Sequence, residues 1–489
     1  MTPLLAKILF SFAVALFAFF PLTDTDIWWH LASARDFLEN GPTESDPFCW
    51  TASRFPWINV HLYFQLLVHL VFSKFGSFGL VLFKSLAWGS VALLWVLPVK
   101  RRISFLGFSE AVGLAFVFRY AFECRPIFAS LFFLGVFWNL LPELEKRFSG
   151  RYILSAFSLF AAEWFWVRTQ GLFTLGFALS FLWLLFSWKR LPKKQKWACG
   201  VFFAAILTVP LWRSQGVSLW LYPFGLLDRL VGGSPSSQIF SREIAENRSP
   251  LTLLFHGENE AAMFALLFAV LVSAVFLLRR FRSELSFRSA WILVVCTLAV
   301  IAERNLSLFF FPFVWLFWER ISRTRRLSRF RRCETFAGCF LLAFSVGFFL
   351  RSVPAYTRNG SFVAVSPERI PAGAVSFIRT HPLPDGFRIF HDDRSGGFLE
   401  WNVRGLKTYA DGRFILKDSA FFANYLGYAQ NPETFFSDAD SLRIGRVLLP
   451  VRYFTRWNDL ALGVARHPEW DLVYADSLYV VIDRRNFNF

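Results

Sequence analysis

Apolar runs close to bilayer-spanning length recur along the first 352 residues. Eleven can be read: 4–22, 78–98, 108–122, 126–141, 152–167, 171–188, 197–212, 260–278, 289–302, 305–318 and 334–352. Crossing the ~30 Å hydrocarbon core takes roughly 20 helical residues. The shorter runs sit at the low end of that range, so the expected number of spans is about 11. The first run is followed by acidic residues rather than a small-residue cleavage pattern, so it reads as a retained helix. Two further stretches are spaced as helices but do not read as spans. In "WWHLASARDFLE" (28–39), Trp28, Leu31, Ala32, Arg35 and Leu38 fall on one face, and "NVHLYFQLLVHLVFSK" (59–74) repeats the pattern. Both predict helices lying along the membrane interface, within a first outer loop of 23–77. The Gly/Pro-broken "GPTESDPFCWTASRFPW" separates them.

Near residue 353 the pattern changes. Residues 353–365 are rich in Pro, Gly and Ser and read as a linker, and 366–489 as a small α/β domain. Strands are expected at FRIFH (387–391), GFLEW (397–401), RVLLPV (446–451) and LYVVID (478–483). Helices are expected near 373–380, 418–429 and 454–466. Gly396–Gly397 and Asp411–Gly412 read first as turn signals. The expected architecture is a polytopic α-helical membrane domain (1–352) followed by this α/β domain.

Composition agrees: 55% of the 489 residues are hydrophobic, with 64 Phe and 20 Trp. The net charge of +17 suggests a nucleic-acid partner until its distribution is examined. Five loops, 100–102, 143–151, 189–196, 279–288 and 319–332, hold 22 Lys/Arg against four acids, so the rest of the chain is nearly neutral. They are alternate loops, which is the positive-inside pattern. The charge therefore sets topology, with the first helix running outward, the C-terminal domain outside, and nucleic acid not implied. Six cysteines are scattered with no disulfide or zinc spacing.

The opposite face receives single charges set in apolar sequence: Asp24 and Asp26, Arg119–Glu123–Arg125, Arg168–Gln170 and Glu303–Arg304. Ionisable groups at membrane depth are costly and point to a site. Asp24 and Asp26 admit two readings. Their carboxylates converge as a general base beside a fixed charge, or as two oxygen ligands for a divalent cation; or one caps a helix while the other is solvated. His30 follows closely enough to share their pocket, whereas His61 and His69, eight apart, do not form a metal pair and read as amphipathic packing. Neither G-x-S-x-G nor G-x-x-x-x-G-K-[ST] occurs, which argues against that hydrolase class and against an ATP-driven transporter. Arg125, Arg168 and Arg304 suit a lipid phosphate. An acidic centre beside fixed cations fits a sugar leaving a polyprenyl phosphate while a carboxylate deprotonates the incoming hydroxyl; the phosphate leaving group needs cations rather than an acid.

Residues 24–80, "DTDIWWHLASARDFLENGPTESDPFCWTASRFPWINVHLYFQLLVHLVFSKFGSFGL", resemble the first outer loop of integral-membrane glycosyltransferases of the C-type fold. The similarity is to a bacterial branch related to protein O-mannosyltransferases and lipid A aminoarabinose transferases. That branch reads D-x-D-x-W-W-H, G-x-x-P-x-x-D-P-F and P-W-x-x-H-x-x-x-x-L. Partial matches continue at Arg125–Pro126, "ENRSP" (246–250), Arg304 before "LSLFFFP", "RSGGFLEW" (394–401) and "DGRF" (411–414). The resemblance implies an inverting, hexosyltransferase-type enzyme of the cytoplasmic membrane with its C-terminal domain in the periplasm. It implies a polyprenyl-phosphate-linked sugar as donor and a lipid, glycan or protein acceptor. The base falls on Asp26 with Asp24 as partner, a divalent cation is a candidate cofactor at these two residues, and His30, Arg125, Arg168, Arg304 and Glu246 fall in the substrate and lipid-phosphate region. One departure stands out: "WVRTQG" (166–171) occupies a turn that is W-x-N-x-H-G-like in the branch, with Arg168 and Gln170 in place of Asn and His. It keeps open a non-catalytic glycan-assembly or sensor protein, or a transporter of lipid-linked glycans.

Overall fold

The computed structural model describes residues 1–279, 286–320, 331–358 and 361–485. Residues 280–285 and 321–330 of the last two basic loops, 359–360 of the expected linker and 486–489 lie outside the described residues. Contacts divide the chain into two units: Met1–Phe20 with Phe78–Phe362, and Pro21–Ser77 with Val363–Phe489. This departs from the expected division, which placed 23–77 with the membrane helices.

The first unit is helical, and an α-helix falls on every one of the eleven apolar runs. Among the described residues, five helices are individually long and apolar enough to cross a membrane: Leu62–Val96, Ile127–Glu145, Lys193–Trp212, Glu260–Arg279 and Arg332–Tyr356. Pro3–Phe17, Phe105–Val117, Thr174–Ser187 and Phe287–Ile301 are apolar but shorter. Several helices begin at a hydroxyl cap just after a polar loop. Ser104 Oγ accepts from Gly107 N at 3.0 Å, and Ser149 and Ser286 do the same for Tyr152 N and Ser289 N, both at 3.3 Å. Helix Leu62–Val96 is two segments joined at Gly76, whose φ of 62° and ψ of −160° are non-helical. Glycine tolerates that backbone without a Cβ clash, and the break separates the expected interfacial stretch from the expected span.

Inside this unit four tryptophans bury their rings and return the indole N–H to a neighbouring segment. Trp88 donates to Glu123 O (3.0 Å), Trp95 to Leu131 O (2.9 Å), Trp166 to Ser130 Oγ (2.8 Å) and Trp318 to Gly107 O (3.1 Å). Helix Leu306–Glu319 is buried almost all round, as its uniformly apolar sequence requires. On Arg331–Ser352, Phe336, Phe340, Phe344 and Phe348 instead form an exposed stripe at four-residue spacing. The expected long outer loop 213–259 carries helices Gly216–Val231, Gln238–Glu243 and Pro250–Phe255.

The second unit is built on a four-stranded mixed sheet. Strand Ile444–Pro450 is buried throughout and lies between Arg388–His391, which is parallel to it, and Tyr479–Arg484, which is antiparallel. Trp470–Ala475, a strand that the sequence pattern did not reveal, pairs outside Tyr479–Arg484. The central strand tolerates the buried Arg446 because Asp483 takes its Nε and Nη2 at 2.6 and 2.7 Å, and His381 O takes Nη1 at 2.6 Å. Helices Ala372–Thr380, Ser419–Gln430 and Asn458–Arg466 lie within or close to the expected stretches, and Pro432–Ala439 is an additional one.

One expectation is overturned. GFLEW is not a strand but part of helix Asp393–Asn402. The run is too short for its period to separate strand from helix. Its glycines serve close packing rather than a turn: a Cβ on Gly396 would run into the Ala410 carbonyl, and one on Gly397 would lie 2.7 Å from Trp29 N. This helix packs against the outer-loop helix Asp26–Asn40, where Arg35 donates to Glu400 O (2.7 Å) and Trp401 O (2.8 Å) and Trp28 meets Phe398 edge to face. The loop is anchored further by backbone pairing, Leu22 N to Ala364 O (2.8 Å), Thr408 N to Phe48 O (3.0 Å) and Trp50 N to Thr408 O (2.8 Å). Backbone partners found in the C-terminal residues explain why the loop groups there. Replacing Gly397 with Ala forces a side chain against backbone, so Gly397→Ala is expected to cost about 1–3 kcal/mol and to lower the unfolding midpoint of the purified protein in a thermal melt.

Candidate functional site

Asp24 and Asp26 stand at the start of helix Asp26–Asn40, and each has a distinct place. Asp24 Oδ1 accepts the Asp26 backbone N–H at 3.1 Å, so Asp24 closes the turn that starts the helix. Asp26 lies in the first helical turn, where the helix dipole favours its negative charge. Both side chains are half-buried. Gly412 of "DGRF" lies directly against the Asp26 carboxylate, because a Cβ there would overlap Asp26 Oδ1. Trp29 Nε1 lies 3.4 Å from the same point and has no hydrogen-bond partner among the described residues. A carboxylate and an indole N–H thus share one spot beside a residue without a side chain. His30 is buried with its ring 5.5 Å from His61 and 4.9 Å from Phe64, so two histidines that the sequence kept apart pack together.

Behind this spot lies a buried ionic network that sequence reading missed. The Arg413 guanidinium donates from Nε to Asp411 Oδ1 and Oδ2 (3.1 and 2.8 Å), and from Nη2 to Asp411 Oδ2 (2.5 Å) and Asp46 Oδ1 (2.8 Å). Its carbon lies 5.7 Å from the Trp29 ring centre, 5.1 Å from Phe48 and 4.9 Å from Trp57. Lys417 Nζ donates to Thr51 O and Oγ1, each at 2.8 Å, and sits 4.0 Å from Asp46 Oδ2. Burial works against the Asp46 charge, but Arg413, the Phe48 N–H and Lys417 together hold its carboxyl below the usual range. Glu400 is the opposite case: burial, reinforced by the Asp411 charge, pushes its carboxyl well up, and it accepts from Thr408 Oγ1 at 2.8 Å. The motifs "SDPF" and "DGRF" were visible in the sequence, but nothing in their local pattern pairs an aspartate at 46 with an arginine at 413.

Cys49, Glu400 and Asp411 place ligand atoms within 4.8 Å of one another. This trio does not fit a cation. Both Asp411 oxygens are held by Arg413, Glu400 already accepts from Thr408 Oγ1 and burial raises its carboxyl, and burial with the neighbouring carboxylates pushes the Cys49 thiol up. Asp24 and Asp26 fit better by donor type, since both offer carboxylate oxygens suited to a hard divalent ion.

In the first unit, three of the expected residues come together. Arg125, at the start of helix Ile127–Leu140, donates from Nη1 to Glu246 Oε1. Arg304 Nη2 lies 3.7 Å from Glu246 Oε2, and its Nη1 donates to Asn247 Oδ1 at 3.0 Å. Asn247 is oriented by its own bond to Phe240 O (3.0 Å), and Glu303 N donates to Arg248 O (3.0 Å), tying the turn before helix Leu306–Glu319 to this loop. Two guanidinium groups, both at least a third exposed, therefore converge on one carboxylate. Arg168 is placed differently: it donates to Trp164 O at 2.9 Å and lies 3.9 Å from that ring's centre.

The described residues thus comprise a unit of apolar helices and a second unit built on a small mixed sheet. No protein-family model and no curated protein matches the sequence. Among solved structures, the apo oligosaccharyltransferase of Archaeoglobus fulgidus is similar with a TM-score of 0.56 at 12% identity, over 94% of this chain and 72% of that one. The oligosaccharyltransferase AglB of the same archaeon, in complex with an inhibitory peptide and a dolichol-phosphate, matches with a TM-score of 0.54 at 12% identity, over 95% and 72%. The same enzyme tethered to an acceptor peptide containing the NVT sequon gives 0.54 at 11%, over 99% and 74%. At such identities the likeness is one of fold.

Removing the guanidinium strands two buried carboxylates, so Arg413→Met is expected to cost about 3–5 kcal/mol and to show as a large drop in the melting midpoint and in folded yield. Glu400 carries a raised pKa in the folded state, so its stabilising contribution is full below its ordinary value of 4.5 and is lost as pH rises through the elevated one. Glu400→Gln should therefore flatten the decline of melting midpoint with rising pH relative to wild type.

Proposed function

We propose that this protein is a membrane glycosyltransferase of the bacterial branch suggested by its first outer loop. It moves a sugar from a polyprenyl-phosphate carrier to an acceptor on the extracytoplasmic face, with inversion. The observation that carries this reading is the fold likeness, which extends over 94% of the chain, to an enzyme of lipid-linked sugar transfer. The dolichol-phosphate and acceptor-peptide complexes of that neighbour support a lipid-linked donor here and admit a peptide among the acceptors. About 11 spans and a periplasmic second unit follow from the alternation of basic loops.

In this reading Asp26 takes the proton of the incoming hydroxyl as that oxygen attacks the anomeric carbon and the carrier phosphate departs from the opposite side. Asp24 fixes the helix start that aims Asp26. Within the first unit, Arg125 and Arg304, drawn together by Glu246, are the candidate partners of a lipid phosphate. His30 packs beside this centre, and Arg168 belongs to the lipid-facing rim. A zinc and sulfate complex of the neighbour supports a divalent cation at Asp24 and Asp26, where it would supply charge stabilisation to the departing phosphate.

Purified protein reconstituted with radiolabelled polyprenyl-phosphate sugars tests the scheme. Asp26→Asn is expected to lower turnover by about 10²–10⁴-fold with carrier binding retained, and Arg304→Gln to raise KM. Full turnover in both Asp26→Asn and Asp24→Asn removes this pair as the centre.

A further inference from the structure

A cleft of about 440 Å³ opens within the second unit, lined by Arg35, Glu39, His69, Trp401, Asn402 and Arg404. It is separate in composition from the Asp24–Asp26 spot and from the Arg413 network. Arg35 is fixed at its floor by the Glu400 and Trp401 carbonyls and lies 4.7 Å from the Trp401 ring centre. Both faces of usefulness for a sugar are thereby reduced, since the Trp401 ring is covered by Arg35 and met edge-on by Phe72 and His69. Arg404 is 75% exposed at its side chain and held only at the rim, with Nη2 3.4 Å from Glu39 Oε1. The lining itself holds two guanidinium groups and one carboxylate, with the Asp36 charge also acting on Arg35 from beside it, and His69 and Asn402 add polar groups.

The surroundings are apolar. Leu38 lines the cleft and is exposed, and on the segment that carries His69, Leu67, Leu70 and Phe75 are exposed as well, Phe75 to 72%. This segment runs on through Gly76 into the apolar stretch of the same long helix. A cleft with two guanidinium groups set among exposed leucines and a phenylalanine on interfacial helices matches one ligand chemistry, a phosphate diester with acyl chains attached.

We propose that the Arg35–Arg404 cleft binds the phosphate of an anionic glycerophospholipid headgroup, with Leu38, Leu67, Leu70 and Phe75 seated among its acyl chains. The phosphate takes the place of Glu39 at Arg404, and Arg35 supplies the fixed cation. The site anchors the second unit to the outer leaflet and does not depend on the transfer reaction.

Full-length protein in nanodiscs of equal phosphatidylglycerol and phosphatidylcholine, released and weighed by native mass spectrometry, tests this. Wild type is expected to retain one phosphatidylglycerol per chain through delipidation, and Arg404→Glu to lower that occupancy at least fivefold. Because Arg404 is exposed, the variant keeps its fold, which the melting midpoint checks; His69→Gln gives a second, smaller loss. Equal retention in wild type and Arg404→Glu overturns the proposal. So does equal retention of phosphatidylcholine, and so does displacement of the lipid by millimolar inorganic phosphate, which assigns the cleft to free phosphate instead.

Discussion

The joining of the first outer loop to the C-terminal residues turns on the buried Arg413 guanidinium. Arg413 is shared by Asp411, its near neighbour in sequence, and Asp46, which comes from the first outer loop, and three aromatic rings enclose it. Charges taken out of water are costly unless geometry and hydrogen bonds compensate fully. Here the guanidinium fork matches one carboxylate in two-pronged fashion and still reaches a second. The arrangement leaves no freedom in how the loop joins the C-terminal residues, and Gly412, held between Asp411 and Arg413, is brought against Asp26 as a consequence.

The same economy of partners governs the helical unit. Several indole N–H groups that would be stranded in an apolar medium are returned to carbonyls or a hydroxyl of a neighbouring segment, so that these large rings fill the interior with their donors paired. Other charged groups meet in the connection around Glu246. There Glu246 draws Arg125 and Arg304 from two helix starts separated by 179 positions in the numbering.

Much of the fold was legible in the sequence. Helices in an apolar medium need long uniform runs, and all eleven runs carry one. The central strand and its antiparallel neighbour were visible as apolar β-branched runs. GFLEW was misread because five residues cannot show a period, and its glycines looked like turns when they are points of close approach. Strand Trp470–Ala475 was missed because it lies at the sheet edge with most of its side chains exposed, which removes the apolar signature.

The candidate site divides in the same way. By itself the sequence determined that Asp24 and Asp26 sit at a helix start and that isolated arginines punctuate the outer connections, because both are local facts of spacing and charge. Only the tertiary structure decided that Asp24 caps while Asp26 is left against Gly412, that Arg125 and Arg304 meet on Glu246 while Arg168 folds back on Trp164, and that Asp46 closes on Arg413. Apart from the local Asp24–Asp26 and Arg168–Trp164 bonds, those pairings join residues tens to hundreds of positions apart. The physical reason is that a buried charge takes whichever complementary partner the packing brings within hydrogen-bond reach, and packing is set by the whole chain rather than by any stretch of it.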